Sequence, residues 1–301
     1  MAGTLPAAFA WHAGAVTLER GEIGRLPYLA AGSGGGAPLL YLSGLLPQAG
    51  VDGLGAVAAV SIGPFARDRR VLFLNRRRGL PRGLTMAQLA AEHAEAIAAA
   101  FPEPVDVLGL STGGSIAQQL AADHPRLVRR LVLVSTGRRL APDGREQQRR
   151  VAARVRGGDD RRALAVLSAS VVPAAVQVPV ALAGWLAAPV LARAAGGGFD
   201  DLAATIEAED GFDLAACAQP IRAPTLIVAG DRDDVYPPDV LEETARLIPG
   251  SRLWLRRGLG HATAAFGRAF TRAVLAFLDA EAPYPQPAIS SAATQPATPS
   301  G

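Results

Sequence analysis

The sequence predicts an α/β fold, with a mostly parallel central sheet flanked by helices. Short apolar runs typical of buried strands alternate with segments whose apolar residues have helical spacing. A serine, an acidic loop and a histidine each follow one of these apolar runs, where ligands collect in such folds. With 301 residues, one α/β domain carrying an insertion fits better than two independent domains.

The first third of the chain supplies four predicted strands and a helix. The strands are expected at residues 15–19, 25–31, 38–42 and 71–74, with turns at Gly21 and Gly24. The helix begins after Thr85, a residue type that caps helix N-termini. His93 lies on its apolar face, so we interpret His93 as a core residue rather than a catalytic one. The arginines at 76–78 are interpreted as a solvated loop.

The central segment changes from strand to helix within a few residues. Residues 105–110 are typical of a buried strand, and helical spacing begins at Ser115. The turn between them reads Gly109-Leu110-Ser111-Thr112-Gly113. A hydroxyl on so sharp a turn needs minimal side chains two positions before and after it, because neighbouring backbone would otherwise collide. The alternative is an ordinary turn with an exposed serine.

This Gly-x-Ser-x-Gly turn resembles the nucleophile elbow of the α/β-hydrolase superfamily. The resemblance implies that Ser111 is a nucleophile and that the backbone N–H groups of Leu45 and Thr112 form an oxyanion hole. Ser43 stands where many members have histidine, so this loop matches only in part. Dehalogenases and epoxide hydrolases of this fold use aspartate as nucleophile, and the serine argues against both.

An insertion is predicted after the strand at 131–134. Its first part is rich in arginine and indicates an exposed helix, whereas residues 163–192 carry no charge. Three prolines divide this uncharged run, Pro173, Pro179 and Pro189. We therefore expect no stable membrane span. The resemblance implies a helical cap at 138–219, inserted after the sixth core strand, with its apolar side facing the nucleophile.

The remaining elements return to the alternation of strand and helix. They are a strand at 223–230, an acidic loop, a helix at 238–247, an edge strand at 252–255, and a last helix that follows His261 and runs to about 280. The resemblance gives a core of residues 1–137 and 220–281. The tail at 282–301 is rich in Pro, Ala, Ser and Thr and is predicted to be disordered.

Activation of Ser111 requires a base and a carboxylate that orients the base. His261 is favoured as the base, because it alone of the four histidines follows a strand at the carboxyl edge of the predicted sheet. Asp231, Asp233 and Asp234 are candidates for the acid. The resemblance favours Asp233, since members commonly place proline four residues after the acid, as at Pro237; Asp231 is the main rival.

Composition excludes several classes of function. A net charge of +3 without aromatic residues among the clustered arginines does not indicate a nucleic-acid binder. The single cysteine, Cys217, and the scattered histidines offer no metal site, and no cofactor is expected. The first twenty residues lack the pattern of a signal peptide, which predicts a cytoplasmic protein of undetermined oligomeric state.

The prediction is a serine hydrolase acting on an ester, thioester or lactone with a hydrophobic part, through an acyl-enzyme on Ser111. An acyltransferase, a carbon–carbon bond hydrolase or a cofactor-free peroxidase of the same fold would use the same residues. A ligand sensor with negligible turnover is the alternative from another class, and Ser43 is the feature in its favour. A lipid-surface enzyme that uses the apolar cap is a further alternative.

Overall fold

The computed structural model describes residues 11–13, 16–196, 198–217 and 219–280. The strands are β1 (Trp11–Ala13), β2 (Val16–Ile23), β3 (Leu26–Ala31), β4 (Leu39–Leu42), β5 (Val71–Leu74), β6 (Val105–Leu110), β7 (Val128–Val134), β8 (Thr225–Gly230) and β9 (Arg252–Arg256). The helices are α1 (Gly55–Ile62), α2 (Met86–Ala100), α3 (Thr112–Asp123), α4 (Pro142–Arg156), α5 (Asp160–Ala169), α6 (Ala174–Ala194), α7 (Asp200–Asp210), α8 (Pro238–Leu247) and α9 (Arg268–Asp279). The tail predicted to be disordered lies outside the described residues.

The strands form one sheet of nine, in the order β1-β2-β3-β5-β4-β6-β7-β8-β9. β1, β2 and β3 pair antiparallel, and β3 also meets β5 antiparallel. The pairings from β5 through β4, β6, β7 and β8 to β9 are all parallel. The predicted α/β-hydrolase architecture is confirmed, and its parallel strands end at one edge, where the site residues gather.

Both faces of the sheet are covered by helices. Apolar side chains of α1 and α9 pack on one face, and those of α2, α3 and α8 pack on the other. The Thr85 side chain accepts a hydrogen bond from the Gln88 N–H at the start of α2, as expected of a capping residue. His93 is buried on this helix, with its Nδ1 atom 2.7 Å from the Leu89 carbonyl, and its prediction as a core residue is confirmed.

Several element predictions were wrong in detail. The chain turns at Gly24, with φ +58°, whereas Gly21 lies inside β2. A side chain at position 21 would collide with the ring of Tyr28 on the paired strand, which explains the glycine without a turn. The strand β1 and the helix α1 were not predicted. With β1 counted, the insertion follows the seventh strand instead of the sixth.

Helices α4 to α7, residues 142–210, lie between β7 and β8, and we call them the cap. They have their own apolar core, formed by α4, α5, α7 and the buried part of α6. The expectation that prolines divide the uncharged run was wrong, because Pro179 and Pro189 lie inside the continuous 21-residue helix α6. Each proline removes one backbone hydrogen bond, and the carbonyls thereby freed belong to the exposed residues Ala175 and Trp185.

The orientation of α6 was also predicted incorrectly. Only Gly184 and Ala188 of this helix are buried, and most of its large apolar side chains are exposed, although Leu191 packs against the cap core. By length and composition α6 is long and apolar enough to cross a membrane. The cap lines the cavity beside Ser111 through α5 and the loop after it, with Leu164, Leu167 and Val171, and through Gln147 and Gln148 of α4.

Candidate active site

The turn between β6 and α3 holds Ser111 in a strained conformation. Its φ of +50° and ψ of −123° lie in a region that non-glycine residues rarely adopt. The turn is fixed by the Ser111 N–H, which donates to the Val134 carbonyl at 2.9 Å. Added Cβ atoms would lie 2.6 Å from the Gly113 carbonyl oxygen at Gly109 and 2.3 Å from the Leu42 carbonyl oxygen at Gly113. Both glycines are therefore required for the close approach of backbone.

Three side chains from distant parts of the sequence meet above this turn. The Nε2 atom of His261 lies 3.0 Å from Ser111 Oγ. Its Nδ1 atom lies 2.9 Å from Asp233 Oδ2. His261 and Asp233 are buried, whereas Ser111 is only partly buried and lines a cavity. This geometry allows proton transfer from the hydroxyl to an imidazole whose other nitrogen is held by a carboxylate.

The acidic loop after β8 brings Asp233, and not Asp231, to the histidine. Asp233 Oδ1 also accepts hydrogen bonds from the N–H groups of Val235 and Tyr236, at 2.9 and 3.0 Å, which fixes the carboxylate. Asp231 is exposed and accepts a hydrogen bond from the Gly258 N–H at 2.7 Å. Asp231 thus shapes the loop before His261 without contacting the imidazole.

The histidine loop is positioned by two further contacts. At Gly230 an added Cβ would lie 2.0 Å from the Leu259 carbonyl oxygen, so glycine lets this loop pass across the end of β8. Ser135, with φ +47°, donates its hydroxyl to the His261 carbonyl at 2.8 Å. Ser135 was not predicted from the sequence, although it directly follows β7 at the carboxyl edge of the sheet, where site residues are expected.

The loop after β4 lies beside Ser111. In the described part of the chain, the N–H groups of Leu45 and Thr112 have no hydrogen-bond acceptor. Thr112 is the first residue of α3, so its N–H also carries the positive end of the helix dipole. A Cβ at Gly44 would lie 3.4 Å from the Ser111 Cβ, which places this loop in contact with the elbow.

Hydrogen bonds from buried polar residues fix the loop after β4. The Ser43 hydroxyl donates to Asn75 Oδ1 at 3.0 Å, and the Asn75 amide donates to the carbonyls of Gln48 and Gly50. Arg76 is buried and donates to the Leu46 carbonyl at 2.8 Å. The interpretation of residues 76–78 as a solvated loop was therefore wrong for Arg76. Burial lowers the pKa of Arg76 to about 10.

A buried carboxylate of the cap was not found from the sequence. Glu209 of α7 is 1% exposed and accepts hydrogen bonds from the hydroxyls of Thr112, Ser115 and Tyr236, at 2.7 to 2.9 Å. Gln148 of α4 donates to it at 3.2 Å. Burial, followed by the Glu209 charge, raises the pKa of Tyr236 well above its usual value. No pattern in the acidic sequence of α7 distinguishes Glu209 from its exposed neighbours.

A cavity of about 320 Å³ opens beside Ser111 and His261. The core contributes the aromatic side chains of Tyr41, Phe73 and Phe266, and the cap contributes the aliphatic side chains of Leu164 and Leu167. Burial raises the pKa of Tyr41 to about 12, so this phenol stays neutral. No Asp, Glu or Arg of the described residues lines the cavity. The site therefore suits a neutral, apolar group next to the hydroxyl.

Comparison with known proteins places the chain in a family. Residues 75–176 match the family model described as the alpha/beta hydrolase fold. The chain is 38% identical over 179 residues to polyketide synthase ThaQ of Burkholderia thailandensis, a match covering 58% of this chain and 8% of that protein. It is 33% identical over 178 residues to a pimeloyl-[acyl-carrier protein] methyl ester esterase of Neisseria meningitidis, strain H44/76, which covers 57% of this chain and 67% of the esterase.

Solved structures show the same relationship. The enol-lactonase of Burkholderia xenovorans LB400 superposes with a TM-score of 0.67 at 27% sequence identity, over 84% of this chain and 96% of that chain. The chain spans less than two thirds of the length of some of these relatives. It covers 8% of the polyketide synthase and 55% of the esterase from N. meningitidis strain Z2491. The relatives thus include ester and lactone hydrolases with this fold.

Proposed function

Because the chain belongs to the α/β-hydrolase fold family, we propose that it is a serine hydrolase for a carboxylic ester, thioester or lactone with an apolar part. The observation that carries the proposal is the hydrogen-bonded series Ser111, His261 and Asp233 at the end of an uncharged cavity. The names of the relatives support this substrate class, since they refer to a methyl ester and an enol-lactone.

In the proposed reaction the Ser111 oxygen attacks the carbonyl carbon and its proton passes to His261 Nε2. The Asp233 carboxylate accepts a hydrogen bond from Nδ1 and stabilises the imidazolium. The N–H groups of Leu45 and Thr112 would receive the oxyanion, and each such donor is worth roughly 3 kcal/mol. His261 then returns the proton to the leaving oxygen or sulfur, which leaves an acyl group on Ser111.

Water completes the cycle on the same residues. His261 Nε2 takes a proton from water, the hydroxide formed attacks the acyl carbon, and the proton returns to Ser111 Oγ as the acid leaves. An acyltransferase would replace water with another hydroxyl or amine. A carbon–carbon bond hydrolase, a peroxidase and a ligand sensor remain rivals that could use the same pocket.

The test compares the wild type with Ser111→Ala on a short aryl ester. We expect kcat to fall at least about 10⁴-fold, because the variant has no nucleophile. A fluorophosphonate probe is expected to label Ser111 in the wild type. Equal rates for the two proteins would reject the proposal, and binding of an ester without turnover or labelling would favour the sensor.

A further inference from the structure

Helix α6 is apolar on all sides and yet lies on the surface. Of its 21 residues only Gln177 and Arg193 have polar side chains, and its most apolar stretch has a mean hydropathy of 1.7. A helix that is apolar all round is normally buried in a large core or in a membrane. Only 11% of this stretch is buried in the protein.

The exposed side chains form a continuous stripe. Val178, Leu182, Leu186 and Val190 follow one another at intervals of four residues, so they lie on one side of the helix. They are 80%, 58%, 61% and 66% exposed. Scattered exposed apolar residues are common on soluble proteins, but an uninterrupted stripe along a whole helix marks a surface that binds something.

The inner side of α6 packs through small residues. A Cβ added to Gly184 would lie 2.6 Å from Ser168 Oγ and 2.8 Å from the Leu164 carbonyl oxygen of α5. This close contact keeps α6 beside α5, which carries the cavity wall on Leu164, Leu167 and Ser168. The contact favours a helix that lies along a surface over one that leaves the cap to cross a bilayer.

Aromatic and cationic residues border the stripe. The Arg161 guanidinium carbon lies 4.3 Å from the centroid of the Trp185 ring, and Arg193 lies in the last turn of α6. Neither arginine pairs with a carboxylate of the described residues, in contrast to Arg149 and Arg156 elsewhere in the cap. Tryptophan and arginine beside an apolar face suit the boundary between acyl chains and anionic headgroups.

We propose that α6 binds the surface of an anionic lipid bilayer, with the stripe toward the acyl chains and Arg161 and Arg193 toward the headgroups. The proposal does not depend on Ser111 being the nucleophile. If the proposed hydrolysis also holds, the lipid phase would adjoin the α5 wall of the cavity. An ester with a long apolar chain would then reach the enzyme from the membrane.

The experiment is flotation of the full chain with vesicles of phosphatidylcholine alone or mixed with phosphatidylglycerol. We expect the wild type to float with the anionic vesicles and to bind the neutral ones about tenfold more weakly. The double variant Leu182→Glu, Leu186→Glu should bind the anionic vesicles at least about tenfold more weakly than the wild type. Val60→Glu on α1 is the matched control, since Val60 is also 61% exposed, and should float like the wild type.

A second measurement keeps the test decisive if the double variant does not fold. Brominated lipids should quench the fluorescence of the wild type, and Trp185→Phe should abolish the quenching. Absence of flotation, equal loss in Val60→Glu, or quenching that persists in Trp185→Phe would overturn the proposal. A wild-type dimer that does not bind vesicles and that Leu186→Glu dissociates would instead assign the stripe to a second copy. Hydrolysis of the short aryl ester without lipid, measured on each variant, tests the proposed function separately.

Discussion

The strand ends of the core and the helices of the cap differ in how closely they are packed. Around Ser111, backbone and side chains are packed so closely that Gly109, Gly113 and Gly230 have no room for a Cβ. In the cap, a 21-residue helix leaves most of its large apolar side chains exposed. The core therefore fixes the candidate site residues relative to one another, whereas the cap presents apolar surface to the cavity and to the outside.

The candidate site residues belong to the core, whereas the cap contributes to the wall of the cavity. Ser111, His261 and Asp233, and the two free N–H groups, all come from turns after strands of the parallel sheet. The cap supplies Leu164 and Leu167 to the cavity, but none of its described residues lies within hydrogen-bond distance of His261. Glu209 links the two regions in another way, because this cap carboxylate accepts hydrogen bonds from Thr112 and Ser115 at the start of α3. Substitutions in each region should therefore alter different kinetic quantities.

The largest effect is expected from Asp233→Asn in the core. The amide would no longer hold His261 with its proton on Nδ1, and kcat for a short aryl ester should fall about 10⁴-fold. KM should change little, because Asp233 is behind the histidine and does not line the cavity. Steady-state kinetics at neutral pH provide the measurement.

Asp231→Asn is the matched control for the choice of acid. Asp231 lies in the same loop but bonds to the Gly258 N–H instead of the imidazole. Its substitution should change kcat less than about tenfold, through a small shift of the histidine loop. A loss in Asp231→Asn as large as that in Asp233→Asn would show that the acid had been assigned to the wrong residue.

Glu209→Gln tests the hydrogen bond that links the cap to Thr112 of the elbow. The NH2 group of the new amide would face hydroxyl groups that now donate hydrogen bonds to the carboxylate. We therefore expect the free energy of unfolding to fall by about 1 to 3 kcal/mol. Displacement of Thr112 should lower kcat about tenfold at a temperature where the variant is folded, with KM nearly unchanged. Denaturant unfolding and steady-state kinetics measure the two effects.

Glu207→Gln provides the comparison on the same helix. Glu207 is exposed and pairs with Arg156, and removal of such a surface ion pair should cost less than about 1 kcal/mol. Normal kcat in folded Glu209→Gln would mean that the carboxylate stabilises the fold without positioning the elbow. The core would then act independently of the cap.

The core could be predicted from the sequence because its signals are local. Buried strands are short apolar runs, and Gly109 and Gly113 record the sharp turn directly. Asp233 was harder, since three aspartates lie within four residues, and only the resemblance favoured it. Glu209, Ser135 and Arg76 were missed because their contacts join residues far apart in the chain, and a polar residue in a helix or loop gives no local sign of burial.

The cap was predicted in place and in helical character but not in orientation. An apolar helix is expected to turn its side chains toward the protein, and three prolines are expected to interrupt it. Neither expectation held for α6, where the buried residues are Gly184 and Ala188 and most of the larger apolar residues are exposed. Periodicity could not reveal this, because a helix that is apolar on every side has no preferred face.

The smallest expected effect concerns which esters the cap admits. Leu167 of α5 lines the cavity and is partly buried, so Leu167→Ala should lengthen the space next to the acyl chain. We expect the ratio of kcat/KM for an octanoyl to a butanoyl ester to rise about three- to tenfold, as one or two methylene groups gain room. Leu182→Ala on the outer side of α6 should leave this ratio unchanged in lipid-free buffer. An equal fall in kcat/KM for all chain lengths in Leu167→Ala would instead show that α5 takes part in positioning the reacting carbonyl, and the division between core chemistry and cap access would fail.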